Sequence, residues 1–433
     1  MPNFYFHIVT FGCKVNQYES HAIREAWQKR GGQETAYPDL ADYILVNSCA
    51  ITGRAERNAR NAIQRLRRSA PNAQIILSGC AAQFYADFQP RKNAPWAMPD
   101  QIFNQNEKTR LLAGPGTVSP AQTRFAISSY LRGRPVIKIQ DGCSHACSYC
   151  IVPQTRGRPV SRLPQDILAE AIELGASGYG ELVLSGINLR QYSHGGGFWK
   201  LLVWLDRELE SRFGRSLRLR ISSLDPAMLD KEGIASLASC NLVCPHLHLS
   251  LQHASPAILR AMNRSHYSAD GILDAITAIG WPVMGLGADI LVGFPGETPE
   301  DLDLLISSIK NLPLTYAHVF PYSRRQGTPA ASMSGQIAHS EKEIRARAVR
   351  DVVEEKRRQF LLLQLGQENM TLAPDAISGD KNTVKGVNEF YVSCSMQGPM
   401  HKGFHKGLLE VRPVQILKNG LLAVAPCATA AGI

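Results

Sequence analysis

Three thiols stand within one short stretch, Cys143-Ser-His-Ala-Cys147-Ser-Tyr-Cys150, directly after the apolar segment Val136-Ile-Lys-Ile-Gln140. Three thiolates can hold three corners of a cubane iron–sulfur cluster and leave the fourth iron without a protein ligand. An open coordination position serves to bind a small molecule, the logic that separates catalytic from structural zinc sites. A zinc knuckle short of one ligand and a group of core thiols are the other readings. Structural zinc takes four ligands, usually from C-x2-C pairs, so the spacing favours a cluster. Cys13, Cys49 and Cys80 each follow a short β-rich run: Phe4-Tyr-Phe-His-Ile-Val-Thr-Phe, Asp42-Tyr-Ile-Leu-Val-Asn and Gln74-Ile-Ile-Leu-Ser. Ligand sites of open α/β sheets lie at the carboxyl ends of strands, so these thiols can meet at one sheet edge and offer a second three-thiolate site. The alternative is three buried cysteines that happen to end strands.

The elements that must position them fall into three segments. Residues 1–125 alternate near-continuous apolar strands with helical stretches, the pattern of a parallel sheet in an α/β layer. Residues 130–367 repeat strand and helix six times and end in a long charged surface helix over 337–367. The expected strands are 136–140, 181–185, 217–222, 246–252, 288–294 and 317–322, and six units predict a partial barrel rather than a closed eight-fold one. In the fourth strand His246, His248, Ser250 and Gln252 alternate with Leu247, Leu249 and Leu251. Polar side chains thus face a lumen that holds a ligand, and leucines face a helix layer. Residues 370–433 change to short β runs with glycine turns, the texture of a small antiparallel β-barrel.

The chain has 433 residues, 44% hydrophobic and 19% charged, which suits a globular protein of two or three domains. It contains no apolar run near the roughly 18 residues a membrane helix needs. The start, Met1-Pro-Asn-Phe-Tyr-Phe-His, lacks a basic stretch followed by a long apolar core. Ten cysteines without an export signal read as ligands or buried thiols, and the expected compartment is the cytoplasm. A net charge of +10 favours a polyanionic partner. Arg54, Arg57, Asn61, Arg65 and Arg68 share one helical face, either a solvated surface or a phosphate-binding stripe. Cys240 and Cys244 lack a third partner, and Cys394 and Cys427 lie in the terminal segment; all four read as structural.

Six cysteines in this order resemble those of the radical S-adenosylmethionine (SAM) methylthiotransferases. The similarity rests on Gly12-Cys13-Lys14-Val15-Asn16-Gln17, Asn47-Ser48-Cys49, Ser78-Gly79-Cys80, Asp141-Gly142-Cys143 and Arg156-Gly157-Arg158. It continues through Leu184-Ser-Gly186, Arg220-Ile-Ser222, His246-Leu-His248-Leu-Ser-Leu-Gln252, Asp289-Ile-Leu-Val-Gly293-Phe-Pro-Gly-Glu297 and Phe320-Pro-Tyr-Ser323. Gly-Cys-Lys-Val-Asn-Gln is similar to the branch acting on N6-threonylcarbamoyladenosine (t6A) in tRNA. Gln252-His253-Ala254-Ser255 stands where the family usually has Gln-Ser-Gly-Ser. The last segment resembles the family's TRAM RNA-binding barrel, yet from residue 370 it carries six Lys/Arg against four Asp/Glu, a small excess.

The resemblance implies two 4Fe-4S clusters, on Cys143, Cys147 and Cys150 and on Cys13, Cys49 and Cys80, with SAM as both radical source and methyl donor. It implies methylthiolation of C2 of t6A at position 37, in the tRNA anticodon loop, and a flavodoxin- or ferredoxin-like electron donor. Gly186, Ser222, Gln252 and Asp289 are the candidates for SAM contacts, and Glu297 either joins them or caps a helix. Arg156, Arg158 and Arg324 are candidates for reading the threonylcarbamoyl group. Still open are isopentenyladenosine or a ribosomal protein side chain as substrate, and a non-catalytic RNA-binding or electron-transfer protein.

Overall fold

Parallel apolar strands and amphipathic helices alternate through most of the chain, as the hydrophobic pattern requires. The computed structural model describes residues 3–87, 98–116, 124–377, 383–397, 406–418 and 420–424. Cys427 lies outside the described residues. The chain divides into two compact units: residues 1–127, 140–160 and 323–332 form one, and 128–139, 161–322 and 333–433 the other.

In the first unit, β1 (Phe4–Thr10), α1 (Lys14–Lys29), β2 (Gly32–Glu34), β3 (Tyr43–Ser48), α2 (Gly53–Ser69), β4 (Gln74–Gly79), α3 (Cys80–Asp87) and β5 (Gln101–Ile102) follow in order. The sheet runs β2-β1-β3-β4-β5, parallel throughout. Ile44, Val46, Ile75 and Leu77 pack with Ile63 and Leu66 of α2, so these strands are apolar on nearly every residue. The edge strands β2 and β5 are too short to show in the sequence pattern.

After β6 (Val136–Lys138) of the second unit the chain enters the first unit again for the cysteine loop, which β7 (Gln140–Asp141) and α4 (Val152–Arg156) bracket, and β8 (Val160–Ser161) leads back to the second unit. Then come α5 (Pro164–Ala176), β9 (Glu181–Ser185), α6 (Phe198–Phe213), β10 (Arg218–Ile221), β11 (Ser223–Leu224), α7 (Lys231–Ser239) and β12 (His246–Gln252). They are followed by α8 (Pro256–Ala261), α9 (Ala269–Ile279), β13 (Gly285–Val292), α10 (Pro299–Asn311), β14 (Tyr316–Pro321) and α11 (His339–Leu365). Parallel sheets β10-β9-β6 and β11-β12-β13-β14 are joined in sequence at the one-residue break Ser222 between β10 and β11. The six expected strands therefore exist, within a few residues of their expected ends. Leu247, Leu249 and Leu251 are buried while His248, Ser250 and Gln252 are half-buried, the alternation expected of β12.

A closed barrel of β15 (Met370–Ile377), β16 (Thr383–Asn388), β17 (Ser393–Gln397), β18 (Leu409–Leu417) and β19 (Gly420–Val424) ends the chain, in the order β15-β16-β17-β19-β18. Its core holds Leu372, Val384, Cys394, Val411 and Leu421. Buried Arg218 and Arg220 fasten it to β9 and β10. They bind Glu181 at 2.7 and 2.6 Å and donate to the carbonyls of Val387, Asn388 and Glu389. Among the described residues no helix is long and apolar enough to cross a membrane.

Candidate functional site

Backbone and short polar side chains knit the ends of β1, β3 and β4 together. Asn16 Nδ2 donates to the carbonyls of Phe11 and Ser48, each at 2.8 Å, and Asn47 Nδ2 donates to the Asn16 carbonyl at 2.9 Å. Ser48 Oγ donates to the Ser78 carbonyl at 2.6 Å and accepts from the Ala81 N–H. Gly79 has φ +83°, and a Cβ there would stand 2.3 Å from the Ser48 carbonyl oxygen, so no larger residue fits before Cys80.

This frame brings Cys13, Cys49 and Cys80 into one neighbourhood. Cys13 is the N-cap of α1, and Cys80 opens α3. Burial pushes the Cys49 thiol up to about 11, and the nearby Cys80 and Cys13 thiols add to the rise. A thiol raised in this way, as at Cys49, holds its proton near neutral pH until a metal displaces it. Cys143 and Cys147 are buried and Cys150 half-buried on the second cysteine loop. The Cys143 N–H is tied to the Gly157 carbonyl at 3.0 Å and the Cys150 N–H to that of Cys147 at 3.0 Å. Two sets of three cysteines with no fourth cysteine in sequence beside either match a donor set for clusters with one open iron.

Arg156, expected to face a substrate carboxylate, is instead buried beside the first set. Its Nε donates to Cys80 Sγ at 3.3 Å, and its Nη1 reaches Asp141 at 2.9 Å and Glu19 at 3.1 Å. Nη2 donates to Asn16 Oδ1. Lys108 joins the same carboxylates, at 2.5 Å from Glu19 and 2.8 Å from Asp141. A buried guanidinium requires anionic partners, and these have claimed it. Arg158 and Arg324 are exposed.

In the second unit the SAM candidates fall at strand ends or just before them. Gly186 follows β9 and is half-buried. Ser222 is buried, and its hydroxyl makes no hydrogen bond among the described residues, an orphaned polar group suited to a ligand. Gln252 ends β12 with φ +59°, after a register shift between Leu249 and Gln252. A bulge and a left-handed residue together re-aim a side chain, and such strain gathers at functional sites. Asp289, on β13, lies 3.1 Å from His248 Nε2, and His248 Nδ1 lies 3.0 Å from the Tyr316 hydroxyl, itself 2.9 Å from His246 Nε2. The alternation of β12 pointed to the histidines; Tyr316 carried no signal of its own.

Glu297 is a structural residue. It accepts the N–H groups of Gly293 and Phe294 and pairs with Arg345 at 2.9 Å, whereas Thr298 and Asp301 cap α10. His253, the departure from the family pattern, is fully buried, and its Nδ1 accepts from the Ser255 N–H at 3.0 Å. Cys244 and Cys394 are buried, with thiols pushed up by burial to about 11 and about 12.

Residues 5–95 match the profile of Uncharacterized protein family UPF0004, and residues 137–309 that of the Radical SAM superfamily. The chain is 32% identical to threonylcarbamoyladenosine tRNA methylthiotransferase MtaB of Thermotoga maritima, over 96% of each chain. It is 31% identical to tRNA-2-methylthio-N(6)-dimethylallyladenosine synthase of Jannaschia sp., over 90% of this chain and 88% of that one. The structure of the radical SAM methyltransferase TsrM from Kitasatospora setae overlays 76% of this chain and 77% of its own with TM-score 0.54 and 15% identity, a likeness of fold. By its six cysteines, its two profiles and its full-length relatives, this chain belongs to the radical SAM methylthiotransferase family.

Proposed function

We propose that this enzyme methylthiolates C2 of t6A at position 37 of tRNA, in the cytoplasm, drawing electrons from a flavodoxin- or ferredoxin-like donor. The observation that carries the reading is the presence of two three-thiol sets; electron carriers usually complete their clusters with four protein ligands. The t6A substrate is supported by the Gly12–Gln17 motif and by the name of the Thermotoga relative. The Jannaschia relative favours isopentenyladenosine as the second reading.

Residues 1–125 would supply Cys13, Cys49 and Cys80 to an auxiliary 4Fe-4S cluster, and Cys143, Cys147 and Cys150 would hold the SAM-binding one. When bound, these groups and SAM supply radical activation of an inert aromatic C–H and the sulfur and methyl to replace it. The chain's own task is positioning. Gly186, Ser222, Gln252 and Asp289 of the 130–367 barrel are the proposed SAM contacts, with Ser222 offering its unpaired hydroxyl and Asp289 held in place by His248. The base must leave the anticodon stack for its C–H to come within reach, and water must be kept out. The TRAM-like barrel of 370–433 and the arginines of α2 would grip the RNA; Arg54, Arg57, Arg65 and Arg68 are all exposed.

The test is turnover of three tRNAs. That carrying t6A should be best, that lacking the threonylcarbamoyl group poor, and that carrying isopentenyladenosine poorest, because polar groups arranged for a carboxylate are left unpaired by a prenyl chain. Equal turnover of all three refutes the t6A assignment, and preference for the prenylated RNA establishes the second reading.

A further inference from the structure

Arg156 belongs to a hydrogen-bonded network that includes Cys80 of the first set and Asp141, which precedes the loop of the second. It lies on α4, six residues past Cys150, and its carboxylate partner Asp141 lies two residues before Cys143, so the loop of the second set holds it from both sides. Its Nε–H nonetheless points to a sulfur of the other set, Cys80 Sγ, at 3.3 Å. Four side chains fix this aim: Asp141, Glu19 and Asn16 accept from Nη1 and Nη2, and Lys108 clamps Glu19 and Asp141 from the far side. Arg156 as a whole is only 3% exposed. The network balances two cations against two carboxylates before any thiolate is added, so Arg156 brings Cys80 an oriented donor in a dry setting. Hydrogen bonds to the sulfurs and local charge are among the features by which a protein sets a cluster's reduction potential.

We propose that Arg156 is a positioning residue which holds the Cys80 thiolate through an N–H···S hydrogen bond and thereby raises the reduction potential of the cluster on Cys13, Cys49 and Cys80. This rests on the cluster reading of those cysteines given above. Because Asp141 and α4 flank the SAM-cluster loop, the same contact makes the electronic setting of the auxiliary cluster depend on the order of that loop. A donor hydrogen and a positive charge stabilise the more negative, reduced cluster, so their removal must lower the potential.

The experiment uses the full chain carrying Cys143→Ala, Cys147→Ala and Cys150→Ala, so that iron resides at the N-terminal site alone. After reconstitution, iron and sulfide are counted, and the potential is read by EPR-monitored redox titration in this parent and with Arg156→Met or Lys108→Met added. Arg156→Met should lower the reduced-to-oxidised ratio at fixed potential at least tenfold, a shift of about 59 mV for one electron. Lys108→Met, which removes an equal charge from the same network but no bond to sulfur, should shift it by less than half of that. An Arg156→Met cluster with full iron and the parent potential overturns the proposal, as does an equal shift from both variants, which would mean charge without a specific bond. The double variant Glu19→Gln/Arg156→Met keeps Lys108 and Asp141 as a balanced pair and serves where the single variant takes up no iron; its potential is held to the same two outcomes. Absence of iron in the parent overturns the cluster assignment itself, a result distinct from a cluster indifferent to Arg156.

Discussion

The arginine face of α2 gives the RNA reading a number. Arg54, Arg57, Asn61, Arg65 and Arg68 are exposed, whereas Ala59, Ala62, Ile63 and Leu66 fill the opposite, buried face. From Arg54 to Arg68 the stripe runs about 21 Å at about 1.5 Å per residue, long enough to follow several phosphates. Arg67 is excluded, being paired with Asp100 at 2.6 Å. If each of the four arginines neutralises one phosphate, replacing all four with Gln should flatten the slope of log K against log salt by about 3, from about 0.7–0.9 per contact. The defect in tRNA affinity should therefore be largest at low salt and shrink about 60-fold between about 50 and 200 mM, since a fourfold change raised to the third power is about 64. The assay is tRNA binding by anisotropy across a KCl series, with thermal unfolding as the control. Exposed substitutions of this kind change stability by only about 0.5 kcal/mol, so the melting temperature should hold. An unchanged slope in a normally folded variant refutes the argument and leaves the stripe as a solvated face.

Further expectations follow from the sites. A fully reconstituted chain should hold about eight irons, and Cys143→Ala/Cys147→Ala/Cys150→Ala about half of that by iron analysis; loss of all iron would show that Cys13, Cys49 and Cys80 form no independent site. Any of Cys13→Ala, Cys49→Ala or Cys80→Ala should still cleave SAM to 5′-deoxyadenosine and make no methylthio product, and normal product from such a variant would remove that site from the sulfur step. Gln252→Gly suits φ +59° and should leave stability intact or higher, while SAM binding by calorimetry weakens about 3- to 10-fold if the amide contacts SAM. Glu181→Gln should destabilise the second unit by about 3–5 kcal/mol in denaturant titrations, because Arg220 is left buried without its anion and Arg218 keeps only Glu389, at 3.8 Å. Burial opposes ionisation of Glu181, but Arg220 and Arg218 outweigh it and hold the carboxyl well below the usual range. Its stabilisation is thus present above the ordinary carboxylate value of 4.5 and lost as pH falls below it. Wild type should lose stability over that acid range more steeply than Glu181→Gln, and parallel curves would contradict the ion-pair account.

Periodicity and cysteine spacing exposed the frame because both are local signals. The strands before Cys13, Cys49 and Cys80 each carry an apolar run, and β12 alternates polar residues (His246, His248, Ser250, Gln252) with leucine, so their faces could be assigned residue by residue. The short edge strands β2 and β5, of three and two residues, carry no period to detect. The bulge before Gln252 was equally hidden, since φ +59° at a glutamine is imposed by the pairing with β13 and not by any turn residue. From the sequence Glu297 stood as either a SAM contact or a helix cap; only the tertiary structure supplies Arg345, forty-eight positions away, as its ion-pair partner, while Thr298 and Asp301 cap α10.

The positive charge of the chain shows most plainly where sequence reasoning stops. A net charge of +10 treats every arginine alike, yet the structure sorts them into different kinds. Arg218 and Arg220 sit against one buried carboxylate and the terminal barrel, and Arg156 against Cys80, Glu19 and Asp141. These guanidiniums are chosen over ammonium for their fork of donors, which satisfies several fixed acceptors at once, so a Lys at any of them is not a conservative change. On α2, by contrast, Arg54, Arg57, Arg65 and Arg68 present charge to solvent without ion pairs among the described residues. There a point charge is enough for a phosphate, so Lys should replace Arg on α2 with little loss of tRNA affinity, while the same exchange at Arg220 should destabilise the fold. Equal tolerance at both places, measured by binding and by unfolding, would mean that burial and donor geometry do not divide the arginines in this way.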